Sequence, residues 1–328
     1  MKLVTCLIAG VLTIYFLLSP ANATGGESKV SGDVRYRYDI DTSSKEKLNR
    51  DRQRIRARLG LTYSSDKVTA GIRMATSSNS VQSPHHTLGT ADASDNASFG
   101  LDRAFLSIDF ASYSNITLGK SKARWWQQNE IFIDNDLSPE GIAFTYAKGN
   151  VTVNLANYIA SELNYNGVGK DDNFGWGQVI FKRSIGSLRS VLATGFATIY
   201  KNSEDTTFVD RNIFSATAQL NVDNFTVGID FLNSDSDSAN NSFVAMFKYI
   251  VGDYKFGVWY YDVGHNSTLS PGFSQDNFPV SVGFSGIRLQ VNRTILENIN
   301  ADLRYYVQSI DSNNADLTRL QLNLNVKF

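Results

Sequence analysis

The stretch Thr318-Arg319-Leu320-Gln321-Leu322-Asn323-Leu324-Asn325-Val326-Lys327-Phe328 decides the fold. Leu320, Leu322, Leu324, Val326 and Phe328 share one parity, and Arg319, Gln321, Asn323, Asn325 and Lys327 share the other. In a strand, successive side chains point to opposite faces. One face is therefore wholly apolar and the other forms hydrogen bonds throughout. A strand with that pattern and an aromatic last residue suits a wall between hydrocarbon and water, which is the position of a strand in a transmembrane β-barrel.

The opposite end of the chain agrees. Lys2 supplies a positive n-region, Leu3 to Leu18 an apolar h-region, and Ala21-Asn22-Ala23 a small-residue cleavage site. Residues 1–23 thus read as a signal peptide and 24–328 as a single barrel domain starting at Thr24. The apolar run is shorter than the roughly 20 residues a spanning helix requires. The sole cysteine, Cys6, lies within the signal segment, so the exported domain has no thiol for a disulfide or a metal. Without Lys2 the chain carries 30 basic against 32 acidic side chains, a near-balance that argues against nucleic acid as a partner. Mean hydropathy is slightly negative, as expected when alternate strand residues face a wet lumen.

Alternation bounded by turn residues predicts sixteen strands, near 30–40, 52–64, 68–77, 99–110, 115–121, 141–148, 151–159, 175–184, 188–200, 212–222, 225–233, 242–250, 254–262, 283–292, 299–308 and 318–328. The connections sort by parity. Seven are tight and rich in Gly, Asn and Asp, such as Gly149-Asn150, Asp223-Asn224 and Gly252-Asp253, residues that two-residue hairpins favour. The eight that alternate with them are long: 41–51, 78–98, 122–140, 160–174, 201–211, 234–241, 263–282 and 309–317. Short periplasmic turns and long external loops belong to an all-β, antiparallel up-and-down barrel of the outer membrane; a soluble β-sandwich has no reason to sort its loops in this way. Ile55, Ala57, Leu59, Leu61 and Tyr63 form one outward face, and Tyr254, Phe256, Val258 and Tyr260 another. Leu188 to Tyr200 does not alternate cleanly.

The charges that would act on solutes fall on a few strands. Arg35 and Arg37 share an inward parity with Asp33 and Asp39 on the first strand, and Arg52, Arg54, Arg56 and Arg58 on the second. Arg73 and Arg103 extend the same wall. A ladder of like charge persists most readily with opposite charge set against it. The candidate counter-charge is the loop 122–140, in which Arg124, Trp125 and Trp126 are followed by Glu130, Asp134, Asp136 and Glu140. Folded inward, it would form a constriction favouring dipolar or charged small solutes. The alternatives are basic residues that only keep the lumen wet, and a loop packed outside it.

A family resemblance rests on Asn49-Arg50-Asp51-Arg52-Gln53-Arg54-Ile55-Arg56-Ala57-Arg58-Leu59-Gly60, then Gly71-Ile72-Arg73-Met74-Ala75-Thr76, Thr87-Leu88-Gly89, Leu101-Asp102-Arg103-Ala104-Phe105, Gly119-Lys120, Trp125-Trp126 and Ser138-Pro139-Glu140-Gly141. Over residues 30 to 147 the chain resembles the putative porin family of Gram-negative bacteria. The resemblance implies a sixteen-stranded diffusion porin, a homotrimer, with the loop between the fifth and sixth strands as constriction. It also implies an outer-membrane location among lipid and lipopolysaccharide, and Phe328 as the terminal aromatic read by the insertion machinery. Where relatives tend to have Asn-Pro-Phe-Trp after Gly-Lys, this chain has Ala123-Arg124-Trp125-Trp126.

No residue pattern points to catalysis, a cofactor or a metal. His85, His86 and His265 all fall in loops read as solvated, and a barrel lipase would need a histidine on a strand. The expected function is passive diffusion of small hydrophilic solutes and ions. The competing readings are a substrate-specific outer-membrane channel and a plugged structural or adhesive barrel.

Overall fold

The computed structural model describes residues 25–44, 49–77, 83–89, 96–161, 171–201, 209–269, 273–274, 278–312 and 314–328. The signal-peptide reading of 1–23 and the start at Thr24 lie outside these residues, as do parts of the expected loops. The strands are β1 (Glu27–Ser43), β2 (Arg50–Ser64), β3 (Val68–Thr76), β4 (His86–Thr87), β5 (Phe99–Ala111), β6 (Ser114–Lys120), β7 (Glu140–Lys148), β8 (Val151–Ser161), β9 (Asp172–Ile185), β10 (Leu188–Tyr200), β11 (Arg211–Val222), β12 (Phe225–Ser234), β13 (Asn241–Val251), β14 (Tyr254–Val263), β15 (Phe284–Leu296), β16 (Ile299–Ile310) and β17 (Ala315–Lys327).

Every barrel strand pairs antiparallel with its chain neighbours. β17 then returns to β1, with Val34 opposite Val326 and Asp41 opposite Arg319. Sixteen strands close the ring. The two-residue β4, which the alternation does not foretell, pairs with β2 above the shorter β3, through Arg54 with Thr87 and Ile55 with His86. Closure leaves no unpaired edge, a requirement for any sheet surrounded by hydrocarbon.

The outward parity is apolar all the way round. Each of the sixteen strands presents at least one exposed large apolar side chain, from Val34 on β1 and Leu59 on β2 to Leu303 on β16 and Leu322 on β17. An exposed patch on a soluble monomer covers only a few hundred Å². A continuous belt therefore calls for a non-aqueous surrounding. The tight turns use left-handed backbone where a hairpin needs it, at Gly149, Gly186, Asp223 and Gly252.

Two local departures carry meaning. Between β3 and β5, Arg73 faces Arg103 and Met74 faces Leu101, so Asp102 is an extra residue in a bulge. The bulge re-aims side chains, and Asp102 and Arg103 both reach inner partners, Arg73 and Ser138. On β10 the alternation is hidden because both faces are apolar or small. Leu192, Phe196 and Tyr200 point out, while Ala193, Ala197 and Ile199 are buried inside. β12 and β13 run further than expected toward their loop, leaving only 235–240 between them.

If the parity of the connections sets the orientation, an epitope inserted at Ser236-Asp237 is expected to be labelled on intact cells. One inserted between Asp223 and Asn224 should be labelled only after the outer membrane is opened. The reverse pattern would invert the barrel.

Candidate functional site in the lumen

The connection from β6 to β7, residues 121–139, turns into the barrel and crosses it. Its apolar residues make this possible. Ile131, Phe132 and Ile133 are almost fully buried. Phe132 stacks on Trp125 with ring centroids 4.2 Å apart, and both meet Trp176 of β9 edge-on. Trp176 continues into Tyr158 and Phe174. These side chains occupy the inner face of β8 to β10, where a water-filled lumen would ask for polar groups. Gly195 of β10 lies under the Trp125 ring and leaves no room for a Cβ. The small inner face of β10 is thus the seat of the loop.

Polar contacts fix the same segment. Gln178 of β9 holds the Trp126 backbone twice, its carbonyl accepting from Trp126 N–H at 2.8 Å and its amide donating to Trp126 C=O at 2.7 Å. Further round the same side, Asp230 of β12 accepts from the Asn129 backbone at 3.0 Å and from its side chain at 2.6 Å. The Gln128 amide donates to the carbonyls of Ala218 and Ile229, lying over Gly228, where a Cβ would collide with it. The β14–β15 connection joins in: Asp134 N–H donates to Phe273 C=O at 2.8 Å and Ser274 Oγ to Ile131 C=O at 2.8 Å.

The far end of the loop reaches the arginine wall. Asp136 accepts from Arg56 at 2.8 Å and from Arg58 at 2.8 Å, one oxygen for each guanidinium. Asp33 of β1 takes the other side of both arginines, at 2.8 Å and 2.7 Å. Burial pushes the Asp136 carboxyl up, but Arg56 and Arg58 outweigh it and hold the group below the usual carboxylate range. Asp136 is therefore an anion throughout the physiological range.

Most of the remaining counter-charge comes from β1 rather than from the loop. Asp39 stands 3.6 Å from Arg52 and 3.5 Å from Arg54. Asp41 meets Arg52 at 3.4 Å and Arg319 of β17 at 2.6 Å. Arg73 pairs with Asp102. Arg35 and Arg37 donate to Asn325 and Asn323 of β17, and Arg103 to Ser138 at 3.1 Å. The inner arginines are interleaved with acids and amides, which relieves the self-repulsion that a bare ladder would carry.

The loop residues divide. Asp136 faces the wall; Asp134 is buried and accepts from the Asp136 backbone; Glu130 accepts from Asn135 at 2.6 Å. Glu140 stands apart. It is the first residue of β7, well exposed and paired with Lys120 at 2.7 Å, so it belongs to a strand end and not to the inserted loop. Its place follows from β7 starting one residue earlier than alternation suggests. Arg124 is exposed and donates to Thr117 at 3.2 Å.

His85 corrects the reading of a solvated loop. It is buried, its Nδ1 3.1 Å from Ser83 Oγ, and burial followed by the nearby Arg37 and Arg54 holds it well below the usual histidine range, hence neutral. No metal-binding cluster occurs among the described residues.

Sequence reasoning missed Asp230 and Gln178, since an isolated acid or amide on an alternating strand carries no pattern of its own, and it missed Gln128 and Asn129 of the loop because they are uncharged. It also left out Arg304, which donates to Asp302 at 2.6 Å. Its inward parity, shared with Tyr306, was the available signal.

Gly228→Leu is expected to undock the Gln128 end of the loop while the barrel stays folded. Limited proteolysis in detergent should then cut between Gln128 and Asn135. Protection equal to that of the unchanged chain would refute the seat.

The description "Putative porin" belongs to a family whose sequence model matches residues 22–162. No curated protein matches the chain in sequence. Among solved structures, a triple mutant of the Rhodopseudomonas blastica porin superposes with a TM-score of 0.58 at 13% identity, covering 92% of this chain and 100% of that one. Salmonella typhi OmpF in complex with daunomycin gives a TM-score of 0.62 at 11% identity, covering 93% and 98%. Residues 22–162 thus carry the sequence of the putative porin family, and the sixteen-stranded barrel as a whole has the porin fold.

Proposed function

We propose that the chain is an outer-membrane porin that lets small hydrophilic and charged solutes diffuse through a water-filled lumen. The loop 121–139 forms its constriction against the arginines of β1, β2, β3 and β5. The observation that carries this reading is Asp136, an anion on an inserted loop held by Arg56 and Arg58 in the middle of the barrel. Opposed charges on the two sides of a narrow gap set up a transverse field, which orders water and acts on permeating ions at short range. The apolar sector under Trp125, Phe132 and Trp176 reduces the open cross-section, which favours a selective channel over a wide one.

Export by the segment 1–23, assembly as a trimer among lipid and lipopolysaccharide, and recognition of Phe328 by the insertion machinery complete the proposal. Phe328 is exposed on the outer side and its backbone exchanges hydrogen bonds with Gly32 at 2.9 Å and 3.0 Å. That position leaves its ring accessible before the sheet closes.

Purified protein in planar bilayers is expected to give stepwise conductance. Asp136→Asn should move the reversal potential in a salt gradient toward anions and Arg58→Gln toward cations. Asp237→Asn, on an exposed outer loop, should change it much less, because rim charge is screened within about 8–10 Å at ordinary ionic strength. Equal shifts from Asp136 and Asp237 would remove the constriction assignment.

A further inference from the structure

The arginines of β1 to β5 are largely spoken for by carboxylates and amides; two cations on β13 and β15 are not. Lys248 of β13 and Arg288 of β15 meet no carboxylate at ion-pair distance among the described residues, and both are only part-buried. They flank one ring. The Arg288 guanidinium carbon lies 3.6 Å from the centroid of Trp259, and Lys248 Nζ 5.4 Å from it. We infer that Lys248, Trp259 and Arg288 form a binding site in the lumen for the oxyanion, carboxylate or phosphate, of a small solute. The inference rests on the porin reading for its purpose, though not for its chemistry.

Register brings the three together. Trp259 lies directly opposite Arg288, and Lys248 opposite Gly257, two residues from Trp259 on the same face of β14. Gly257 has no side chain, so the Trp259 ring lies over it and toward Lys248. The ring's π face attracts each cation, yet neither cation makes a contact ion pair with a carboxylate among the described residues. Of the carboxylates on neighbouring strands, Asp230 acts on Lys248 only at longer range, and the hydrogen bonds of Asp230 and Asp302 go elsewhere. Asp230 holds Asn129 of the inserted loop, and Asp302 holds Arg304 and Gln290.

An independent observation points to a missing acceptor. The indole Nε1 of Trp259, on a residue that is 4% exposed, and the Nε of Arg288 are both buried donors without a hydrogen-bond partner. Buried donors in folded chains are almost always paired, with protein or with a bound species. Two orphan donors in one cross-strand pair, one of them on a cation and both beside Lys248, are the complement of an oxyanion, which accepts hydrogen bonds and carries the opposite charge. A neutral sugar hydroxyl could satisfy the donors but would leave the charge standing.

The test is calorimetric titration of the detergent-folded barrel with potassium phosphate and, separately, potassium acetate, at constant ionic strength. It does not depend on conductance, so a barrel that binds but does not conduct would count against the porin reading alone. Saturable binding of at least one anion is expected. Trp259→Phe keeps the ring and removes the N–H, and should weaken binding about tenfold; Lys248→Gln and Arg288→Gln should each weaken it further, while Lys67→Gln in a short turn leaves it unchanged. Which anion binds more tightly separates carboxylate from phosphate. Heat-modifiable migration on gels verifies folding of each variant. No saturable heat with either anion, or equal affinity in Trp259→Phe, would overturn the site.

Discussion

Everything in this barrel depends on keeping two incompatible solvents apart with one layer of sheet. A strand between hydrocarbon and water must send apolar side chains one way and polar ones the other, and must leave no backbone group unpaired on the hydrocarbon side. The pairing of β17 with β1 meets the second demand, and the unbroken outward belt meets the first. Once the ring is closed, the inner face is free to vary along its circumference.

That freedom is used unevenly. From β17 through β5 the inner wall is charged and densely hydrogen-bonded. From β8 through β14 its upper part is aromatic and aliphatic, a second core inside the ring formed with residues 131–133 and the β14–β15 connection. Burying that apolar surface supplies the driving force that pulls the loop inward. The ion pairs at its far end contribute little net stability, because desolvating both partners offsets most of their attraction. Their effect is to fix where Asp136 stops. Hydrophobic packing thus brings the loop in, and charge sets its position in the gap.

The barrel was legible because its signal is repeated on strand after strand. Strict alternation, as in Thr318 to Phe328, reports a strand with one wet and one apolar side, and parity of the connections separates the two ends of the barrel. The same logic fails where the inner side is not wet. On β10 the inner Gly195 answers to Trp125 and not to water, and its place in the pattern means nothing without knowing that the loop is there. Clustered arginines on β2 announced a charged wall. Its neutralisation by Asp33, Asp39 and Asp41 could be read only from cross-strand register, since parity gives a face but not a partner. Asp230 and Gln178, each alone on its strand, had no sequence signature at all.

The account stands most directly on the clasp between the inserted loop and the wall, and a double-mutant cycle on Asp136→Asn and Arg58→Gln measures it. Denaturant unfolding of the four proteins, monitored by intrinsic tryptophan fluorescence, gives the coupling. Contact between the two side chains predicts a non-additivity of about 0.5–3 kcal/mol. Additive effects, within about 0.3–0.5 kcal/mol, would mean that the loop does not rest on the arginine wall and would contradict the account.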